Sequence, residues 1–197
     1  MGKILTSLFP FSTSKMLKFN LIVAVCENSG IGLKGELPWR LRSELKYFSY
    51  TTRRRENPKK QNAVIMGRKT FYCIPENKRP LLGRLNVVLS RTLKASELPT
   101  NVLLYPSLEE AMQQLEQSDQ IETVWIVGGS AVYKEAMASQ RCHRIYLTKI
   151  YKDFDCDTFF PAIPLDFVEV IGDPETPQGI QEEEGIRYEY IVLEKMS

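Results

Sequence analysis

Leu41, Glu44, Leu45 and Phe48 stand at positions i, i+3, i+4 and i+7, so they share one face of a helix. Three are apolar and the fourth carries a carboxylate. A carboxylate facing a core or pocket is costly unless it is paired, hydrogen-bonded or protonated. Burial raises its pKa and suits it to delivering a proton near neutral pH. The alternative is a glutamate at the edge of the stripe that reaches solvent.

A second group of residues suits phosphate. Met66-Gly67-Arg68-Lys69-Thr70 and Val127-Gly128-Gly129-Ser130 each read as a strand ending in glycine and running toward a helix, and a third strand ends in Leu89-Ser90-Arg91. Helix N-termini there present free N–H groups and a positive dipole end to anions. Arg68 and Arg91 at strand ends suit an extra phosphate dianion, which favours NADP over NAD. Two look-alike motifs fail on context. Gly30-Ile31-Gly32-Leu33-Lys34-Gly35 has the G-x-G-x-x-G form, but Pro38-Trp39 follows where a helix should open. It reads as a mobile loop closed by Trp39. Gly67-Arg68-Lys69-Thr70 lacks the contiguous G-K-[ST] of a Walker loop.

The elements that must position these residues alternate. Short, nearly continuous apolar runs at Phe19–Val25, Asn62–Met66, Leu85–Leu89, Val102–Tyr105, Thr123–Val127 and Arg144–Ile150 read as strands buried on both faces. Helical spacing lies over residues 41–52, after an N-cap at Ser107, and from Ser130. Phe167–Ile171 and Ile186–Leu193 have no helix between them and should pair antiparallel. The pattern is α/β, a mostly parallel sheet covered on both faces.

With 197 residues, 26 Lys+Arg against 24 Asp+Glu and 43% apolar residues, the chain has ordinary globular composition and no nucleic-acid or polybasic membrane signature. No apolar run is long enough to span a bilayer. Cys26, Cys73, Cys142 and Cys156 form no C-x-x-C pair, and His143 is the single histidine, so a structural zinc site and a disulfide framework are both disfavoured. Free thiols in a reducing compartment are expected. Residues 1–16 read as a disordered extension and 17–197 as one domain. A weak transit signal and a loose myristoylation pattern at Met1-Gly2 are the alternatives for the extension. The basic cluster Arg53-Arg54-Arg55 with Lys59-Lys60 reads as a solvated loop after a helix.

From Leu17 onward the chain resembles the dihydrofolate reductase family, close to its animal members. The resemblance rests on ordered segments: Leu21–Val25, Gly30–Gly32, Leu37-Pro38-Trp39, Glu44 with Phe48, Val64–Thr70, Arg79-Pro80-Leu81, Gly83-Arg84, Leu89-Ser90-Arg91, Trp125–Gly129 and Asp157–Pro161. It implies an eight-stranded, mostly parallel sheet with flanking helices and an antiparallel C-terminal strand. It also implies NADPH-dependent reduction of dihydrofolate by a cytoplasmic monomer needing no metal, membrane or protein partner. By that resemblance, Glu44 is the pocket carboxylate, Thr158 braces it, and Trp39 orders a water beside it. Ile22, Val23, Ala24, Leu45, Phe48, Ile74, Leu81 and Val127 line the slot for the substrate rings, with Lys78 near the benzoyl carbonyl. Arg84 pairs with the carboxylate of the glutamate tail.

On the cofactor side the resemblance assigns Arg68, Lys69, Thr70, Ser90, Arg91 and Thr92 to the adenosine phosphates. Gly128, Gly129, Ser130, Ala131, Val132, Tyr133, Lys134 and Glu135 become the pyrophosphate turn and helix, with a cis peptide at Gly128-Gly129. Ala24 and the lid residues Gly30, Ile31, Gly32, Gly35 and Glu36 face the nicotinamide. Arg40, Leu45 and Lys78 depart from the vertebrate pattern, which bears on inhibitor selectivity and on the preference for polyglutamylated folates. The competing readings are a pyrimidine reductase of the riboflavin route and an inactive folate- or NADPH-binding module.

Overall fold

The computed structural model describes residues 16–171 and 174–196, so the expectations for the N-terminal extension lie outside the described residues. The chain runs β1 (Phe19–Cys26), β2 (Gly30–Gly32), α1 (Arg42–Arg53), β3 (Gln61–Gly67), α2 (Arg68–Cys73), β4 (Leu85–Leu89), β5 (Val102–Tyr105) and α3 (Leu108–Glu116). It continues through β6 (Ile121–Ile126), α4 (Ser130–Ala138), β7 (Cys142–Ile150), β8 (Thr158–Phe159), β9 (Phe167–Glu169), β10 (Gln181–Glu183) and β11 (Ile186–Lys195).

Eight strands form the main sheet in the order β10-β11-β7-β1-β6-β3-β4-β5, and short β9 adds to β11. From β7 to β5 every pairing is parallel; β11 joins β7, β10 and β9 antiparallel. The expected architecture is therefore present, with an antiparallel edge built by the C-terminal strands.

The period of two along each strand decides which layer a side chain enters. On β3, Ala63 and Ile65 join the layer under α3 and α4, with Leu108, Met112 and Met137. Val64 and Met66 join the opposite layer, with Phe71 of α2 and Phe48 of α1. Burial on both faces explains why these strands read as unbroken apolar runs rather than alternating ones. Ser107 caps α3 as its sequence suggests, its Oγ accepting the Glu110 N–H at 3.2 Å.

Two elements depart from the sequence reading. The Gly30–Glu36 loop is not free: β2 pairs antiparallel with β8 in a second, two-stranded sheet. Leu33 and Glu36 exchange backbone hydrogen bonds of 2.9 Å around a tight turn in which Lys34 (φ 52°) and Gly35 (φ 84°) are both left-handed. The other departure is β10, whose Gln-Glu-Glu sequence carries no strand signal and whose pairing comes from its hairpin with β11.

Candidate active site

Three parallel strands, β1, β6 and β3, lie side by side and bring their carboxyl ends to one edge. The two glycine turns meet there. Gly67 N–H donates to the Gly128 carbonyl at 2.8 Å, and Val127 N–H donates to the Ile65 carbonyl at 2.9 Å. The Gly128-Gly129 peptide is cis and Gly128 has φ 114°. A Cβ on Gly128 would lie 3.2 Å from the Tyr133 ring, and one on Gly129 would lie 3.0 Å from Thr70 Oγ1. Side chains at this pair would crowd Tyr133 and Thr70, and at Gly128 they would also meet a left-handed backbone.

Glu44 lies in the first turn of α1 and is only 5% exposed. Burial pushes its carboxyl up to about 7, and a hydrogen bond from Thr148 opposes that rise only in part. Thr148 Oγ1 donates to Glu44 Oε1 at 3.4 Å. This corrects the assignment of Thr158 as the brace. Thr158 sits in β8, pairs with Gly32, and gives its hydroxyl to Asp157 Oδ1 at 2.9 Å. It holds the lid, not the acid. In the sheet Thr148 is 1% exposed and in register with Ala24, a placement the β7 segment alone does not reveal. A hydroxyl so placed needs a partner.

Several residues expected to line the slot share one layer. Ile22 is buried in the layer that also holds Phe48, Ile74, Leu81 and Val127, while Ala24 packs with Trp39. Val23 is a correction: strand alternation sends its side chain into the α3/α4 layer, so only its backbone can face the slot. Leu45 stays 48% exposed on the rim of α1, and Lys78 lies exposed in the short 3-10 turn Glu76–Lys78. Trp39 is buried edge-on against Phe154, its ring centroid 5.6 Å away, and its Nε1 has no hydrogen-bond partner.

Arg84 is held in place before any ligand arrives. Its guanidinium donates to Thr52 Oγ1 at 2.7 Å and to the Leu82 carbonyl at 3.1 Å, and lies 5.8 Å over the Phe48 ring. Burial, aided by the neighbouring Arg53, lowers its pKa to about 10. No ion pair to a carboxylate is formed by Arg84 among the described residues. The sequence cluster at Arg53–Arg55 is therefore divided: Arg53 borders Arg84, whereas Arg54 pairs with Glu175 at 2.7 Å.

A cleft of about 590 Å³ is lined by Lys34, Gly35, Glu36, Arg68, Lys69, Tyr72 and Cys73. Of these, Lys34, Tyr72 and Cys73 were not anticipated. Arg68 donates to Thr92 Oγ1 at 3.3 Å, and Ser90 Oγ accepts the Thr92 and Leu93 N–H groups at 3.3 and 3.1 Å. The β3–α2 and post-β4 turns are thereby joined, with Arg91 exposed beside them. On α4, Ser130 donates to the Phe159 carbonyl at 2.6 Å, tying the helix start to β8, and Val132 packs on Gly67. Ala131, Lys134 and Glu135 are exposed, while Tyr133 is buried with its hydroxyl on the Ile22 carbonyl at 2.8 Å. Tyr133 thus ties α4 to β1, and its ring lies close to the Gly128 turn. Cys26 fixes the turn into β2 by donating to Asn28 Oδ1 at 3.0 Å and to the Gly30 carbonyl at 3.4 Å. All four cysteines are free thiols. Among the described residues no helix is long and apolar enough to cross a membrane.

Crowded glycine turns and Arg68 at the carboxyl ends of a parallel sheet, with one buried carboxyl, place the chain among α/β enzymes that bind ligands beyond their strand ends. The family model described as dihydrofolate reductase matches residues 18–195. The dihydrofolate reductase of Drosophila melanogaster is 65% identical over 182 residues, covering 92% of this chain and 100% of that one. That of Aedes albopictus is 55% identical over 184 residues, covering 92% and 99%. The solved structure of Schistosoma mansoni dihydrofolate reductase superposes with a TM-score of 0.80 at 36% identity, covering 92% of this chain and all of that one. The chain belongs to the dihydrofolate reductase family.

Proposed function

We propose that residues 17–197 reduce 7,8-dihydrofolate to 5,6,7,8-tetrahydrofolate, with hydride delivered to pterin C6 and a proton to N5. The observation that carries this reading is Glu44, a buried carboxyl whose pKa of about 7 leaves it part-protonated near neutral pH. In its ionised form Glu44 accepts hydrogen bonds from the pterin amino group and ring N–H; in its protonated form it holds the proton destined for N5. The unpaired Nε1 of Trp39 supplies a donor for a water on that route. Ile22, Phe48, Ile74, Leu81 and Val127 offer the apolar walls, and Arg84 offers a bidentate fork for the tail carboxylate.

The cofactor in this reading is NADPH, which supplies the hydride when bound. The strand ends suit it. The turns at Gly67 and Gly128-Gly129 approach so closely that added side chains would crowd their neighbours, which leaves bare backbone and the start of α4 for a pyrophosphate. Arg68, Lys69, Thr70, Ser90, Arg91 and Thr92 would hold the adenosine phosphates. The β2–β8 sheet would cover the nicotinamide and limit water there. A single copy working in a reducing, cytoplasmic setting fits the four free thiols. The test is the loss of NADPH absorbance on adding dihydrofolate. Turnover with the wild-type chain and its collapse in Glu44→Ala at neutral pH, with partial return in acid, support the reading. Tight NADPH binding with no turnover overturns it.

A further inference from the structure

Helix α1 carries Glu44 in its first turn, yet its own N-cap, Leu41, has no side-chain oxygen with which to cap it. The cap comes from the far end of the chain. Glu183 on β10 accepts the Arg42 N–H on Oε1 at 2.8 Å and the Ser43 N–H on Oε2 at 2.9 Å. Its carboxylate thus spans the two residues immediately before Glu44. These two N–H groups hold Glu183 below the ordinary carboxylate range, so it is anionic wherever the enzyme works.

An uncapped helix start carries about half a positive charge, which favours ionisation of a carboxyl in its first turn. Arg42, at the same helix start, acts in the same direction and also draws on Glu183. Glu183 places a full negative charge on that positive end. We propose that Glu183 is a positioning residue for the proton donor: it seats the first turn of α1 and offsets its positive end, so that Glu44 keeps its proton near neutral pH.

The other groups facing Glu44 do not supply this charge. The Tyr133 phenol on α4 and the Tyr190 phenol on β11 are both pushed far up by burial and stay neutral, and Thr148 on β7 is a hydroxyl. On its own helix, Arg42 and Lys46 flank Glu44 with positive charge only.

This inference rests on the reading of Glu44 as the acid, so the test separates the two. The Glu44 carboxyl is titrated directly, by carboxyl-labelled NMR without substrate, in wild type and Glu183→Gln. Gln keeps an oxygen for one of the two N–H groups and removes the charge. The midpoint should fall by about 0.2–0.7 on the pH scale at low salt. The difference should shrink near 1 M salt, where screening acts within about 3 Å. The falling limb of the hydride-transfer rate against pH should move down by the same amount. An unmoved Glu44 midpoint, with only lost stability or a rate lowered equally at every pH, overturns the coupling. A midpoint that moves while the rate profile does not leaves the coupling standing and overturns Glu44 as the acid. Glu183→Asp, which restores the charge with a shorter reach, should recover part of the wild-type midpoint; no recovery counts against the proposal.

Discussion

Thr148, on β7, donates its hydroxyl to Glu44 at 3.4 Å, the one side-chain hydrogen bond to that carboxyl among the described residues. The bond favours the ionised form, and burial favours the protonated form and prevails. The site therefore holds a carboxyl that can both keep and give up a proton in the physiological range.

Glu44→Gln separates function from stability. The hydride-transfer rate at pH 7 should fall by about 10²-fold or more, the usual range for losing a general acid. Stability should move the other way. The folded-state pKa of Glu44 is raised from 4.5 to about 7, so the native state binds more protons than the unfolded state between those values. The penalty for ionising it in the folded state is therefore absent below pH 4.5, grows through that window and is complete above pH 7, at about 3 kcal/mol. Denaturant titrations should show Glu44→Gln more stable than wild type at pH 8 by an amount of that order. The gain should vanish below pH 4.5.

Thr148→Val and Thr158→Val should have different signatures. Removing the Thr148 hydroxyl takes away the contact that lowers the Glu44 pKa, so the falling limb of the pH–rate profile should move to higher pH. Thr158→Val alters a β8 residue bonded to Asp157 and should leave that midpoint in place.

Trp39→Phe keeps an aromatic ring against Phe154 and removes the unpaired Nε1 donor. The smaller ring leaves space at a buried site, so stability should fall by about 1–3 kcal/mol. Turnover should drop while NADPH affinity, measured by fluorescence titration, stays near wild type.

Gly128→Ala places a Cβ 3.2 Å from the Tyr133 ring at a φ of 114°. The strain should cost about 1–3 kcal/mol in thermal or denaturant unfolding. NADPH binding should weaken more than dihydrofolate binding, because the strained turn belongs to the proposed pyrophosphate site.

Arg84→Lys exchanges a planar fork, fixed by Thr52 and Leu82, for a single ammonium. KM for dihydrofolate should rise by about 10–100-fold with kcat little changed, since a charged hydrogen bond is worth about 1.5–3 kcal/mol and the tail lies away from the reacting atoms.

Much of this arrangement was legible in the residues. The doubly buried strands were visible because burial on both faces makes them continuous apolar runs, and β4 and β5 have the bounds their sequences suggest. Glu44 was visible because a helical stripe made its placement anomalous. All of the misses but Val23 share a cause: they depend on which elements become neighbours. Thr148 was passed over for Thr158 because the β1–β7 register that places it beside the acid is a property of the sheet, not of the segment. Val23 was read with its neighbours as one wall, although alternation parts it from Ile22. The lid looked free because its partner, β8, has only two residues and no strand pattern of its own. Glu183 lies 141 residues from the N–H it caps, beyond any local capping signal.

The hairpin that caps α1 also sets an order of assembly. Synthesis delivers the chain from its N-terminus, and most of the parallel sheet is complete once β7 has been made. The head of α1 is not, because β10 and β11 are still to come and β11 docks along β7. A nascent chain halted after β7 has the Gly67 and Gly128-Gly129 turns but lacks the carboxylate that caps α1. The contact that seats the first turn of α1 thus forms only once β10 has been made, later than the parallel strands around it.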